Sequence, residues 1–145
     1  MKRLAIYIII GVALLLTSCH IVSSNNGDLD GLWQLTVIEN VQTGVVTDGR
    51  DNGVSWAFQG GMVQIKANSL PLDHVIGKFD KGDGTLRVYH MAVFTHGKGD
   101  TPVEDATLLE GTGVTQLDET FRILELNSNT LRLESSQMRL FFRKY

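Results

Sequence analysis

Cys19 is the only cysteine of the 145-residue chain. A lone thiol can act as a nucleophile or metal ligand, but it has no second cysteine with which to form a disulfide or a redox pair. His74, His90 and His96 have no tight ligand spacing, and no acidic residue forms a recognisable metal motif with them. Asp48-Gly49-Arg50-Asp51-Asn52-Gly53 and Asp80-Lys81-Gly82-Asp83-Gly84 have the Asp and Gly content of calcium loops. Neither keeps the alternating acidic ligands and closing Glu of such a loop, and turns need the same residues. Serines and histidines are scattered, without a nucleophile elbow. Glu104-Asp105 and Asp118-Glu119 read as solvated charges at a helix start and in a loop. These residue types predict a non-enzyme with no metal and no cofactor.

The context of Cys19 gives it a different chemistry. Met1-Lys2-Arg3 precedes an apolar run from Leu4 to Leu16, followed by Thr17-Ser18-Cys19. A short basic head, an apolar core too short to span a bilayer and small residues before a cleavage point make a secretory signal. Leu16-Thr17-Ser18-Cys19 resembles the bacterial lipobox. The resemblance implies that the Cys19 thiol takes a diacylglycerol, that the chain is cut before Cys19, and that the new amine is acylated. A membrane is then a partner through lipid. Each buried methylene is worth about 0.8 kcal/mol, so two or three acyl chains hold where one holds only marginally. The expected address is the cell envelope, with the outer membrane favoured because His20-Ile21 is not an obvious inner-membrane retention pair.

This reading divides the chain into a signal (1–18), the lipidated Cys19 with a small, polar tether (19–30), and one domain (31–145). Removing the signal leaves eleven basic against sixteen acidic side chains. That balance argues against nucleic acid and against an anionic membrane surface as electrostatic partners.

The domain must position any site on strands. Leu32–Glu39 alternates, with Trp33, Leu35 and Val37 on one face; Val41–Asn52 reads as a long loop. Val54, Trp56 and Phe58 alternate, Gly60-Gly61 makes a hairpin turn, and Val63 and Ile65 follow. Val75–Phe79 and Leu86–Met91 flank the turn Asp80–Gly84. Phe121–Asn127, Leu131–Glu134 and Met138–Lys144 are separated by Ser128-Asn129 and Ser135-Ser136-Gln137. One segment differs. Thr101-Pro102-Val103-Glu104 has capping-box spacing with Pro at the first helical position, and Gly111 is placed to stop a helix. A short helix over 102–110 is expected, with Val103, Ala106 and Leu109 on one face; Thr107-Leu108-Leu109 is also compatible with a strand. Short strands with tight turns predict an antiparallel meander closing into a barrel or sandwich.

Gly31-Leu32-Trp33 opens the first strand, and Phe141-Phe142-Arg143-Lys144-Tyr145 ends the last. The Gly-x-Trp resembles the lipocalins and their calycin relatives. The endings Phe121-x-Ile123, Leu131-x-Leu133 and Leu140-x-Phe142 before a final basic residue resemble the small lipocalin-like lipoprotein domains of gut bacteria. The resemblance covers 31–145. It implies an up-and-down β-barrel of about eight strands, with Trp33 packed at the closed end and crossed by a basic residue. Arg143 is the expected partner, Lys144 the alternative, and Arg139 should lie farther away.

Alternation points Trp56, Phe58, Phe79, Leu86, Val88, Leu131, Leu133, Leu140 and Phe142 inward. Most read as plain core. Trp56 and Phe58, with Phe79 and Val88, are the candidate contacts for a small, partly apolar ligand, and His90, two positions past Val88, is a candidate polar contact. The leading expectation is therefore a membrane-anchored barrel that binds such a ligand in its mouth, with Val41–Asn52 and Thr95–Thr120 as rim or cover. The alternative is a filled barrel acting as a protein-interaction or envelope-assembly module. The two differ in whether Trp56, Phe58, Phe79, Phe121 and Phe142 meet in the middle.

Overall fold

Period-two alternation gives each strand one apolar face, and the faces are buried by curling the sheet until its first and last strands pair. The structure, a computed structural model, describes residues 25–145. The expectations for the signal and for Cys19 lie outside the described residues. The strands are β1 (Gly31–Asn40), β2 (Val46–Asp48), β3 (Ser55–Gln59), β4 (Met62–Lys66), β5 (His74–Lys81), β6 (Thr85–Val93), β7 (Thr101–Pro102), β8 (Glu119–Leu126), β9 (Thr130–Glu134) and β10 (Met138–Lys144). Eight of them form a closed antiparallel barrel in the order β1-β3-β4-β5-β6-β8-β9-β10. The β10–β1 ladder, from Trp33↔Lys144 to Asn40↔Met138, closes it. β2 extends the sheet beside β1, and β7 pairs with β6.

The two ends differ. One end carries the tight hairpins Gly60-Gly61, Gly82–Gly84 and Asn127–Asn129, together with both ends of the described chain. This end is closed. A 3-10 turn, Gly27–Leu29, buries Leu29 completely. Trp33 Nε1 donates to the Leu29 carbonyl at 2.8 Å, and Lys144 Nζ donates to the Asp28 carbonyl at 2.8 Å. The folded part thus begins before Gly31. Within the expected tether, Leu29 is buried and Asn26 and Asp30 are half-buried, because Leu29 has the barrel's end to fill.

Two further corrections concern that end and the segment 102–110. Lys144, and not Arg143, crosses Trp33, with its Nζ 4.8 Å from the ring centroid. Lys144 is the register partner of Trp33 and shares the inward parity of Leu140 and Phe142, whereas Arg143 faces out toward Gln34. The helix expected over 102–110 is reduced to one 3-10 turn, Ala106–Leu109. Thr101 and Pro102 are held in β7, so the cap moves to Asp105, whose carboxylate accepts from Thr107 N at 2.9 Å.

The interior is filled. Trp56, Phe58, Phe79, Phe121 and Phe142 are all at most 4% exposed. Trp56 lies 5.2 Å from Phe142, 5.9 Å from Phe121 and 6.1 Å from Phe58, and Phe58 lies 5.1 Å from Phe79. Tilted and edge-to-face packing of this kind adds about 0.5–1.5 kcal/mol per pair beyond burial.

Candidate binding groove at the barrel mouth

The long connections, 41–54, 67–73 and 94–118, lie at the open end. From the last of these, residues 103–117 fold over the opening as a plug. Val103, Leu109 and Val114 are buried, and Thr112 is fully buried. The Thr112 hydroxyl donates to the Leu109 carbonyl at 2.6 Å, and its own carbonyl accepts from Trp56 Nε1 at 2.9 Å. Buried Glu119 ties down the plug's far end, accepting from Thr115 N at 2.6 Å and from Thr115 Oγ1 at 2.8 Å. Gly113 lets the backbone rest directly on the barrel, since a Cβ there would stand 2.9 Å from Leu140 Cδ1 and its φ is +95°.

Beside the plug, β1 and β10 run past the barrel. A bulge at Thr36 shifts the register between Leu35↔Phe142 and Val37↔Phe141. The bulge reverses the alternation. Val37, expected to share a face with Trp33 and Leu35, does not; Ile38 takes the inner face opposite Leu140 and Thr47. Asn40 then shapes the turn into β2, its side-chain oxygen accepting from Gln42 N and Thr43 N at 3.0 Å. On the outer face, Arg139 bridges Glu39 at 3.1 Å and Glu134 at 2.7 Å, and Arg122 also meets Glu134. The hydrogen bonds from Arg139 and Arg122 hold the Glu134 carboxyl below its usual pKa. At the far end of β2, Arg50 grips Asp48 at 2.7 Å and lowers its pKa to about 2.

Between plug and ribbon lie two adjoining clefts. One, of about 280 Å³, is lined by Ile38, Ala106, Thr107, Glu110, Gly111, Gly113, Val114, Thr115, Gln137 and Met138. The second, of about 310 Å³, is lined by Ile38, Asn40, Thr43, Val45, Thr47 and Met138. Ile38 and Met138 belong to both, so the two make one groove. Its walls are apolar with hydroxyl and amide groups between, and Glu110 is its only charged side chain. Val45 and Val46 on the ribbon are 61% and 63% exposed.

None of the sequence-level candidates lines this groove. Trp56, Phe58, Phe79 and Val88 lie in the core. His90, expected to point inward, is exposed. A bulge sets Ile76↔Ala92 and Lys78↔Tyr89, so two residues of β6, His90 and Met91, stand opposite Gly77. His90 absorbs the extra residue at φ +52°, and Met91 turns inward in its place. The residues that line the groove carried no motif. Their signals were the apolar-polar mixture of 38–47 and the two glycines Gly111 and Gly113. Among the described residues no group of three or more His, Cys, Asp or Glu side chains is placed to hold a metal.

The family model for a lipocalin-like domain matches residues 14–145, and the chain belongs to that family. Among solved structures it is similar to a lipocalin-like protein from Bacteroides uniformis. Identity is 22% and the TM-score 0.59, over 82% of this chain and 100% of that one. It is also similar to an uncharacterized protein from Bacteroides eggerthii. Identity there is 18% and the TM-score 0.57, over 81% of this chain and 99% of that one. Both likenesses concern the fold. No curated protein matches the chain.

Proposed function

We propose that this chain is an exported lipoprotein, anchored through Cys19 in the cell envelope with the outer membrane favoured, whose filled barrel serves as a non-enzymatic interaction module. The supporting observation is the meeting of Trp56, Phe58, Phe79, Phe121 and Phe142 inside the barrel, which moves the accessible apolar surface to the mouth groove. Loops on a rigid scaffold are where binding surfaces usually sit, and here the long loops share that end. The test is photocrosslinking in cells from an unnatural residue at Val45, with Asp83 at the closed end as control. Adducts to a discrete protein from position 45 alone are expected. Equal adducts from both positions would count against the mouth as the interface.

A second reading rests on the groove's volume, about 280 Å³ and about 310 Å³ in its two parts, which is near the low end of small-molecule sites at roughly 300–1,000 Å³. In that reading a small, partly apolar molecule sits against Ile38 and Met138. Native mass spectrometry of the purified protein separates the two, because a releasable small mass lost in Met138→Lys supports the ligand reading. The anchor is tested apart from either: Cys19→Ala should leave an uncleaved precursor without palmitate label, and continued labelling would refute it.

A further inference from the structure

The charge on the barrel is sorted by end. The connections at the open end, 41–54, 67–73, 94–118 and 135–137, carry eight carboxylates and two basic side chains, Arg50 and Lys98. Arg50 is already taken by Asp48. Arg87 likewise takes Asp118, so six carboxylates and Lys98 remain outside these ion pairs. At the closed end the tight hairpin turns and the entering segment carry three carboxylates, Asp28, Asp30 and Asp83, with Lys144 beside Asp28. The apolar groove thus opens into a field with a net of about five negative charges, and Glu110 stands in its wall. Glu104 and Asp105 directly precede the groove residues Ala106 and Thr107 and are exposed. Neither Glu104 nor Glu110 enters an ion pair among the described residues.

Resting on the interaction reading above, we infer that the groove receives an extended, basic protein segment, its apolar side chains against Ile38 and Met138 and its lysines or arginines toward Glu110 and Glu104. Two features select this occupant. The acidic side chains are spread along the rim and do not converge into a metal-holding group among the described residues, which matches a chain of separated cations better than one ion. The groove is also open at the ribbon side, and Val45 in its wall is exposed there, as suits a segment lying across it.

The experiment uses the full chain in nanodiscs of zwitterionic phosphatidylcholine, with empty nanodiscs as the blank, and fluorescence anisotropy of labelled peptides. Three short peptides are compared: alternating Lys-Leu, alternating Glu-Leu and alternating Lys-Ser. The Lys-Leu peptide is expected to bind at least about tenfold more tightly than the other two, and to weaken as salt shortens the screening length from about 10 Å at 0.1 M. Glu104→Gln with Glu110→Gln should weaken it by about threefold to tenfold, the range for two partly exposed ion pairs. These positions are exposed and unpaired, so the variant should fold as the parent does. Equal binding of Lys-Leu and Glu-Leu, or no effect of the double variant, overturns the basic partner and leaves the groove reading standing. A melting shift with calcium alone, equal to that with the peptide, also overturns it, because it makes the rim a cation site. If no peptide binds and crosslinking from Val45 finds no protein, the interaction reading itself fails.

Discussion

The indole of Trp33 is held on two sides, by the Leu29 carbonyl at its nitrogen and by Lys144 over its face. A cation on an indole contributes roughly 0.5–2 kcal/mol, and Lys144 adds a hydrogen bond to the Asp28 carbonyl. Lys144→Ala should therefore destabilise by about 1–2 kcal/mol in urea unfolding, and Arg143→Ala by less than about 0.5 kcal/mol, as for an ordinary surface change. Equal costs would show that neither contact closes the barrel. The choice between them was legible in the sequence: once Leu140 and Phe142 point inward, parity sends Lys144 in and Arg143 out. His74 gives a pH signature that no motif announces. Burial pushes its ring below the usual 6.5 and Lys66 adds to this, against weaker opposing pulls from Asp73 and Asp100. A depressed histidine supports the fold above the unfolded value of 6.5 and loses that support as pH falls through the lower folded value. The melting temperature should fall as pH drops below about 6.5, and should fall less in His74→Gln. Parallel curves for the two proteins would remove His74 from the account.

At the scale of elements, alternation read the eight barrel strands; it missed β2, which lies inside the expected loop Val41–Asn52 and is held by pairing with β1, and it missed the bulges. A bulge needs one extra residue on one strand, and nothing in a single strand's pattern shows what its neighbour lacks. The β5–β6 bulge depends on a pair, Gly77 on one strand and His90 on the other. A Cβ on Gly77 would meet Met91 Sδ at 2.4 Å, so the glycine makes the room that Met91 fills. Gly77→Ala should destabilise by about 1–3 kcal/mol through overpacking. His90→Val should cost about 1–2 kcal/mol, because a branched side chain fits poorly at positive φ, while His90→Gly should cost nothing. Equal stabilities of the two His90 variants, measured by chemical unfolding, would show that the bulge is not under that constraint. The plug was half legible for a similar reason. Its apolar residues and terminal glycine were read correctly, but the pairing of Thr101 and Pro102 with β6 is a long-range event that displaces the local capping signal.

The whole molecule was read more securely than its site, because hairpin turns and alternating runs repeat along the chain while the groove is assembled once, from three distant segments. The same assembly gives the molecule a direction. Gly31 begins β1 at the closed end and Asn40 ends it at the mouth, nine steps of about 3.3 Å, so the groove stands about 30 Å from where the chain enters the barrel. A lipid on Cys19, as proposed, would turn the closed end toward the bilayer and the acidic mouth away from it, where a basic segment of a soluble or neighbouring protein could reach it. Single-cysteine labels make this measurable, since Cys19 is the only native cysteine and its acylated thiol would not react. On vesicles carrying a headgroup quencher, a fluorophore at Asp83→Cys should be strongly quenched and one at Val45→Cys weakly. Equal quenching would mean that the barrel tumbles on its tether. Stronger quenching at Val45 would turn the groove toward the membrane and make lipid, not protein, the surface it meets.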